Sequence, residues 1–370
     1  ALAGYHAAAP ERRQPGAQLI AAILEELGRV FAENGFSGGT VDALAWVAAA
    51  KETLAQIGAL LDKRGKTGHV RRGHGDLHLA NLVLIDERPV PYDALEFDET
   101  LGTCDLLYDL CFLVMDLCHH GLQSAACRVL DAWLTEFQGS EDEGLAALPL
   151  FLSVRAGIRA MVLLQTDAAR ENRGLSSDEA ARYLDQARSF LEPAPPMLIG
   201  VGGFSGTGKS VLARGVSPGI GAAPGAVVLS SDAIRKAGRG ADSPLPSEAY
   251  SEGARHSVYD KMIERTHAIL SAGHSAVLDA TFLDPELRWS VEQAAADHGV
   301  PFRGFWLEAP REMLATRIRG RTGGQSDADV DVLEQQLRQD VGVVRWNRVN
   351  AARTPAEVLA EARSMLPNLT

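Results

Sequence analysis

The sequence predicts an α/β protein with two domains: a mostly helical N-terminal domain and a C-terminal doubly wound parallel sheet. Three observations predict this architecture. The chain has 370 residues, which is enough to form two hydrophobic cores. The prolines within Glu192–Pro196 cannot continue a helix and form a stiff connector. The apolar pattern changes at this connector from helical spacing to alternating strands and helices. We therefore expect domains at residues 1–191 and 197–370, joined by a linker at residues 192–196.

The N-terminal domain is predicted from apolar residues that recur three and four positions apart. This spacing predicts helices at Ala17–Glu33 and Val41–Lys63. The segment Asp105–Leu117 is apolar nearly all round, which indicates a buried helix. Two short extended runs, Leu82–Ile85 and Pro91–Leu95, flank a group of turn residues and predict a β-hairpin.

Strands and helices alternate after the linker. The predicted strands are Met197–Val201, Ala226–Ser230, Ala276–Asp279, Phe302–Leu307 and Val344–Val349. The predicted helices are Glu248–Ser271, ended by Gly273, then Pro285–His298, begun by Asp284, and a last helix opened by the capping box Thr354-Pro355-Ala356-Glu357. Such alternation is typical of a parallel sheet covered by helices on both faces.

Composition and charge exclude several classes of protein. The content of 46% hydrophobic and 23% charged residues is that of a globular chain, not of a disordered one. The net charge is −12, with 17 basic and 27 acidic residues up to Leu191 and 19 and 21 after it. Neither half has the basic surplus that holds duplex nucleic acid, so we expect no such partner. The apolar runs are too short to span a membrane, so we expect no membrane partner either.

The four cysteines predict buried thiols. Cys104, Cys111 and Cys118 are spaced seven residues apart, which on a helix separates them by about 10 Å along the axis, beyond the reach of a disulfide. The run Cys118-His119-His120 lacks a second ligand pair at the spacing of a metal site. Reduced thiols and the absence of a signal-peptide pattern predict a cytoplasmic protein. Because the first residue is not Met, we expect a processed chain or part of a longer one.

The most informative motif is Gly203-Phe204-Ser205-Gly206-Thr207-Gly208-Lys209-Ser210, which fits GxxxxGK[ST]. Such a loop surrounds a phosphate with backbone N–H groups, and the helix that starts near its lysine adds its positive end. The predicted nucleotide-binding residues are Gly203, Ser205, Gly206, Thr207, Gly208, Lys209 and Ser210. Lys209 is expected to reach the β- and γ-phosphates, and the Ser210 hydroxyl to bind Mg²⁺.

Two acids follow predicted strands at the edge where a doubly wound sheet binds its ligands. Asp232 follows the strand that ends at Ser230, and Arg235 lies one helical turn later. A carboxylate here can accept the proton of an attacking hydroxyl, and an arginine can steady the acceptor or the transferring phosphoryl group. Asp279 ends the next strand, where an acid can hold Mg²⁺ through water or orient the acceptor, and it is a candidate Mg²⁺ ligand. A helix cap and a strand-end cap are the structural alternatives for the two acids.

The segment from Arg317 to Gly324 combines arginines with paired glycines. Arg317 and Arg321 are predicted to belong to a mobile lid that closes over charged phosphates and excludes water. A solvated basic loop is the alternative.

Together these four features resemble the P-loop kinase family that includes the polynucleotide 5′-hydroxyl kinases, the zeta toxins and the gluconate-kinase-like small-molecule kinases. The resemblance extends over about Met197–Pro367. It implies ATP and Mg²⁺ as cofactors and Asp232 as the general base. It further implies that Arg235 contacts the acceptor or its phosphate, and that Arg317 and Arg321 are lid residues. It does not identify the acceptor.

A second motif lies in the N-terminal domain: His74-Gly75-Asp76-Leu77-His78-Leu79-Ala80-Asn81, followed twelve residues later by Asp93. It resembles the catalytic loop of the aminoglycoside phosphotransferase and choline-kinase-like family, in the large lobe of a protein-kinase-like fold. The resemblance implies that Asp76 accepts the proton of an acceptor hydroxyl and that Asn81 and Asp93 hold Mg²⁺. It also implies that an acid of the segment Asp105…Tyr108-Asp109-Leu110 braces the loop from below.

The small lobe of that family, with its lysine-bearing strand and glycine-rich cover, has no counterpart in the helical pattern before His74. Either the small lobe lies upstream in a longer protein, or this half has lost its own ATP site. In both cases we expect the N-terminal half of this chain to transfer no phosphoryl group.

The sequence therefore predicts an ATP-dependent kinase that acts, through its C-terminal domain, on a hydroxyl of a small-molecule or nucleotide-type acceptor. Two alternatives remain open. One is a nucleotide-binding regulatory module without an acceptor. The other is an aminoglycoside-type phosphotransferase whose small lobe lies upstream.

Overall fold

A computed structural model describes residues 2–34, 41–95, 99–169, 177–236, 252–320 and 329–367. The chain divides into two compact units. Unit 1 comprises Ala1–Trp133 and Gly144–Pro193, and unit 2 comprises Leu134–Glu143 and Ala194–Thr370. The boundary after Pro193 lies within the segment that the sequence predicts to be a linker.

The chain up to Leu191 is mostly helical and contains two small antiparallel pairs of strands. The helices are α1 (Leu2–Ala8), α2 (Gly16–Asn34), α3 (Ala43–Lys66), α4 (Glu99–Gly102), α5 (Leu106–His119), α6 (Gln123–Glu136), α7 (Leu148–Ala169) and α8 (Ser177–Leu191). The strands are β1 (Val70–Arg72), β2 (Leu82–Ile85), β3 (Arg88–Pro91) and β4 (Thr103–Asp105). Strand β1 pairs with β4, and β2 pairs with β3.

Helix α5 forms the centre of unit 1, and every residue from Leu106 to Cys118 is buried. The Asp105 carboxylate caps it by accepting a hydrogen bond from the Leu107 N–H. A buried helix here is as the sequence predicts. All four cysteines are buried and free, which confirms the prediction of core thiols. Cys104, however, lies in β4 and not on the helix, because the cap at Asp105 starts the helix after it.

The hairpin is tighter than the sequence predicts. Its second strand is Arg88–Pro91, whereas the apolar pattern placed it at Pro91–Leu95. The reason is the turn: Asp86 and Glu87 both have positive φ values, 49° and 61°. Two consecutive left-handed residues form a two-residue turn, so pairing resumes at once and joins Ile85 to Arg88.

Unit 2 is a five-stranded parallel sheet in the order β6-β7-β5-β8-β9. The strands are β5 (Leu198–Gly203), β6 (Val227–Ser230), β7 (Ala276–Asp279), β8 (Phe302–Glu308) and β9 (Asn347–Asn350). The helices are α9 (Lys209–Val216), α10 (Ser231–Lys236), α11 (Glu252–Ser271), α12 (Pro285–Asp297), α13 (Arg311–Arg319), α14 (Val330–Leu337) and α15 (Pro355–Ser364). The predicted α/β class is confirmed. The capping box at Thr354 is also present.

Strand β9 starts at Asn347, three residues later than the sequence predicts. Trp346 directly precedes β9, and its ring lies over glycines of β5 and β8. A Cβ on Gly304 would lie 2.3 Å from the ring carbon Cγ of Trp346, and one on Gly200 would lie 2.7 Å from Cη2. The glycines of β5 and β8 therefore make room for an indole, whose Nε1–H donates to Glu292 at 2.8 Å.

The predicted N-terminal domain included all of residues 1–191, but the structure assigns residues 134–143 to unit 2. This segment groups with unit 2 because Arg265 of α11 binds it. The guanidinium of Arg265 donates two hydrogen bonds of 2.8 Å to the Asp142 carboxylate, and both side chains are at least 95% buried. Sequence patterns do not report a contact between residues so far apart in the chain.

Two stretches of the described residues, Ala43–Lys66 and Asp142–Thr166, are long and apolar enough to cross a membrane by length and composition alone. Core helices of soluble proteins meet the same criterion, and most of the second stretch is buried.

Candidate nucleotide site at the carboxyl edge of the parallel sheet

The predicted residues of the P-loop domain meet because three parallel strands end at one edge of the sheet. Val201 of β5 pairs with Asp279 of β7, and Ser230 of β6 pairs with the same Asp279. The loop after β5, the helix after β6 and the acid that ends β7 are therefore neighbours. This is the edge at which open α/β sheets bind ligands.

The P-loop connects β5 to α9 and is shaped by its glycines. Gly208 has a φ of 92° and starts α9 from the left-handed region, with open space where a Cβ would stand. Gly206 has a φ of 83°, and a Cβ there would lie 2.8 Å from the Leu314 carbonyl oxygen of α13. The loop is thus packed against α13 at Gly206 and open at Gly208.

Lys209 is the first residue of α9, and its ammonium group folds back over the loop. The Lys209 Nζ donates to the Phe204 carbonyl at 3.0 Å, and the Thr207 hydroxyl donates to the same oxygen at 2.8 Å. Both hydrogen bonds connect the end of the loop to the Phe204 carbonyl near its start. The positive charge therefore lies beside the backbone N–H groups at the start of α9, where an anion is favoured.

Asp279 is almost fully buried beside Lys209 and Ser210. Burial raises the pKa of its carboxyl, an effect that the Lys209 charge and a hydrogen bond with the Ser210 side chain only partly oppose. The nearby Asp232 carboxylate raises this pKa further. A cation bound at the site would stabilise the ionised form of this buried carboxyl group.

Asp232 lies in the first turn of α10 and pairs with Arg235. The Arg235 Nη1 lies 2.8 Å from the Asp232 Oδ1, and both side chains are partly buried. The predicted acid and arginine are therefore in contact at the edge where Asp279 also lies.

Two residues that sequence reasoning did not single out join this edge. The buried Tyr259 of α11 lies with its hydroxyl 3.2 Å from the Thr281 Oγ1. Thr281 in turn accepts a hydrogen bond at its carbonyl from the Gly203 N–H of the P-loop, at 3.1 Å. Burial raises the pKa of Tyr259, so its hydroxyl stays protonated at neutral pH. A lone tyrosine on a long helix carries no sequence signal for this position.

The turn after β7 holds Phe282 in a strained conformation, with a φ of 49° and a fully buried ring. Arg288 holds this turn in place: its Nη1 donates to the Phe282 carbonyl at 2.6 Å, and its Nη2 donates to the Val341 carbonyl at 2.6 Å. Phe282 follows Asp279, the last residue of β7, by three residues.

The predicted lid lies partly within the described residues. Arg317 is half-buried in the last turn of α13, the helix that packs against Gly206. Arg321 lies outside the described residues.

In unit 1, Asp109 braces the loop of the second motif, as the sequence predicts. Its two carboxylate oxygens accept hydrogen bonds from the N–H groups of His74 and Gly75, at 2.8 and 2.9 Å. Burial raises the pKa of Asp109, but the hydrogen bond from His6, the charge of Arg155 and the loop N–H lower it to about 2. Sequence reasoning missed His6 and Arg155, which lie far from the motif in the chain.

The same loop brings Asp76 and Asn81 together. The Asn81 Nδ2 donates to the Asp76 Oδ2 at 3.0 Å, and the His78 Nε2 lies 3.4 Å from that oxygen. Burial raises the pKa of Asp76, yet the hydrogen bonds from His78 and Asn81 and the charges of His78 and Arg155 outweigh it and lower the pKa overall. Asp93 is exposed and follows Tyr92, whose N–H donates to the Asn81 carbonyl at 3.0 Å. Asp76 and Asn81 are therefore in contact, and Asp93 lies one residue after the backbone that pairs with Asn81.

The groups present in unit 2 fit a nucleotide polyphosphate and Mg²⁺. Gly208, the left-handed residue before α9, has open space where a Cβ would stand, and the Lys209 ammonium group lies over the same loop. The Ser210 hydroxyl and the Asp279 carboxylate offer the oxygen ligands that Mg²⁺ prefers. Within the described ranges, no three His, Cys, Asp or Glu side chains gather into a metal-binding group, so phosphate oxygens and water would complete the coordination.

Comparison with known families agrees with the P-loop geometry. Residues 198–340 match the AAA domain. The part of the chain that contains the P-loop motif is thus similar to this domain. The match confirms the coarser part of the resemblance predicted from the sequence, while the resemblance of the N-terminal half to aminoglycoside phosphotransferases stays a prediction.

Uncharacterized proteins from Mycobacterium tuberculosis and Mycobacterium bovis are 34% identical to this chain over 278 residues. The aligned part covers 73% of this chain and 54% of each relative. The chain thus spans about half the length of the curated relatives it matches.

Three solved structures resemble part of the chain at low TM-scores. A gluconokinase from Sinorhizobium meliloti is 24% identical and covers 46% of this chain and 90% of its own, with a TM-score of 0.33. A sugar kinase from Janibacter is 20% identical and covers 46% and 94%, with a TM-score of 0.34. An APS kinase from Mycobacterium tuberculosis, in complex with AMPPNP and APS, is 20% identical and covers 46% and 98%, with a TM-score of 0.31.

Proposed function

We propose that unit 2 is an ATP- and Mg²⁺-dependent phosphotransferase that acts on a hydroxyl of a small-molecule or nucleotide-type acceptor. The observation that carries this proposal is the contact between Ser210 and the buried Asp279, beside Lys209 of the P-loop. A hydroxyl, a carboxylate and an ammonium group at the start of one helix form the donor set that a Mg²⁺-bound polyphosphate needs.

The residues of the loop bind and orient the donor. Bound ATP supplies the phosphoryl group that is transferred, and Mg²⁺ neutralises its developing charge. The N–H groups from Gly206 to Ser210 surround the phosphates, and Lys209 exchanges its contact with the Phe204 carbonyl for the β- and γ-phosphate oxygens. Ser210 and Asp279 hold the metal ion, directly or through water.

Asp232 is the group we assign to the acceptor. Its Oδ1 already contacts Arg235, so Oδ2 is the oxygen that accepts the proton of the acceptor hydroxyl. Arg235 keeps the carboxylate oriented and lies where it can contact an acceptor or the transferring phosphoryl group. Arg317 and Arg321 are proposed to close over the phosphates and exclude water, as lid arginines do.

A mere nucleotide sensor needs no acceptor-side carboxylate, and the Asp232–Arg235 pair favours transfer over sensing for that reason. The N-terminal half remains a proposed relative of the aminoglycoside phosphotransferase large lobe, without an activity of its own in this chain. Location in the cytoplasm, and the absence of duplex nucleic acid and membrane partners, also remain proposals.

The test uses the full chain with labelled ATP and four acceptor classes: sugars, nucleosides, aminoglycosides and 5′-hydroxyl oligonucleotides. We expect Mg²⁺-dependent transfer to one class. Lys209→Ala should abolish detectable ATP binding and lower the rate of transfer by at least about 10²–10³-fold, because the loop loses its cation. Lys51→Ala, at an exposed position of α3, is the matched control and should retain both.

The outcomes separate the alternatives. ATP binding that depends on Lys209 without transfer to any acceptor would leave a nucleotide-binding regulatory module. Transfer that survives Lys209→Ala would contradict the proposal and would indicate that the loop of Asp76 carries the activity.

A further inference from the structure

Helices α13 and α14 form a small apolar cluster of their own against the P-loop. Leu314 of α13 and Leu333 of α14 are its buried centre, and Phe204 of the loop packs against them. An ion pair between Arg311 and Glu334, with the Nη2 and Oε1 atoms 2.7 Å apart, also joins the two helices. The loop is therefore in direct contact with the helix that follows the predicted lid segment.

One polar contact connects α14 to the backbone of the loop. The Ser205 N–H donates to the side-chain oxygen Oε1 of Gln336, at 2.9 Å. Ser205 is only 6% exposed, and Gln336 is half-buried. A buried N–H must have an acceptor, and here a side chain from a separate helix provides it.

The position of this contact within the loop decides what it can do. Ser205 and Gly206 face the α13 and α14 side, where Gln336 and Leu314 lie against them. The other end of the loop, at Gly208, has open space. Gln336 therefore fixes the first half of the loop without covering the second half, where phosphate oxygens are bound in our proposal.

We propose that Gln336 is a positioning residue that holds the P-loop in its phosphate-binding conformation and makes nucleotide affinity depend on helix α14. This inference rests on the proposed function only for the class of ligand, a polyphosphate. It predicts that a change on α14, at a residue outside the P-loop motif, weakens binding of the phosphates.

The test compares variants of the full chain by calorimetry, with ATP and with inorganic tripolyphosphate as probes. Gln336→Met keeps the length of the side chain and removes the acceptor. We expect it to raise the Kd for both probes by the same factor, about tenfold, which corresponds to about 1.4 kcal/mol. Gln336→Ala should have the same effect, and it also serves if the Met variant fails to fold. Gln335→Met, at the exposed neighbouring position, is the matched control and should bind as the wild type does.

A second readout separates positioning from a general loss of stability. The midpoint of thermal unfolding without nucleotide should change little in Gln336→Met, because a freed loop can bond to water. The rise of that midpoint on adding ATP should shrink, since ligand stabilisation depends on the ratio of ligand concentration to Kd.

Wild-type affinity in Gln336→Met would overturn the inference, and so would weakening by Gln336→Ala alone, which would assign the effect to packing. If the wild type binds ATP and Lys209→Ala abolishes binding while Gln336→Met does not weaken it, only this inference fails. If the wild type binds neither probe, the proposed function fails with it.

Discussion

The buried imidazole of His274 should make unit 2 sensitive to mild acid. His274 lies just before β7 and is 1% exposed, and its Nε2–H donates to the Gly225 carbonyl at 3.0 Å. Burial lowers the pKa of this imidazole to about 4, although the hydrogen bond to Gly225 acts in the opposite direction. The folded unit therefore holds a neutral histidine well below the pH at which a solvated one is protonated.

The sign and size of the effect follow from proton linkage. Above pH 6.5 the side chain is neutral in both the folded and the unfolded chain, so it causes no pH dependence. Below that pH the unfolded chain binds a proton that the folded chain does not, until the pH approaches the folded pKa of about 4. The two pKa values differ by two to three pH units, and at about 1.4 kcal/mol per unit the free energy of unfolding falls by up to about 3 kcal/mol over this range.

The assay is urea unfolding of the full chain between pH 7.5 and 4.5, followed by hydrogen exchange of peptides from β6 and β7. These peptides report on unit 2 alone. His274→Gln removes the titrating group, so its stability should fall less with pH than that of the wild type. His256→Gln, at an exposed position of α11, is the control and should follow the wild-type curve. Parallel curves for wild type and His274→Gln would refute the reasoning.

Three further outcomes are expected for the full chain. Asp232→Asn should bind ATP normally but lose transfer by about 10²–10⁴-fold, because an amide accepts no proton; an equal loss of ATP affinity in calorimetry would contradict this role. Asp279→Asn should weaken the Mg²⁺ dependence of ATP binding by about 10–100-fold, and unchanged Mg²⁺ titrations would exclude it from the metal site. Asp76→Ala and Asp93→Ala should leave transfer nearly unchanged, because the reaction is assigned to unit 2; loss of transfer in either variant would assign it to unit 1.

The sequence predicts those features of the fold and the site that depend on local pattern. Alternating apolar runs locate the strands of unit 2, and β7 is found at the predicted residues, Ala276–Asp279. The P-loop motif locates the turn and the helix start, because glycine spacing and a lysine are local signals. The hairpin of unit 1 was misplaced because its register depends on two left-handed residues, Asp86 and Glu87, and neither is a glycine.

Contacts between distant residues could not be predicted from one sequence. Gln336 reaches Ser205 across 131 residues, and Tyr259 reaches Thr281 only because α11 packs beside β7. The carboxylate of Asp109 was expected to brace its loop, but its partner His6 lies 103 residues away. In each case a polar side chain forms a hydrogen bond with a group that is distant in the sequence. The spacing of apolar residues does not indicate which residues form such pairs.

The ion pair between Asp142 and Arg265 determines where this protein can be divided. An expression boundary at the prolines of residues 192–196 would separate the two partners, which lie 123 residues apart. The shortened product would lose Asp142 and with it the two hydrogen bonds that this carboxylate accepts from Arg265. It would also lose Gly139, against which the Arg265 side chain packs in the full chain. Unit 2, which contains the P-loop, is therefore encoded by two separate stretches of the gene.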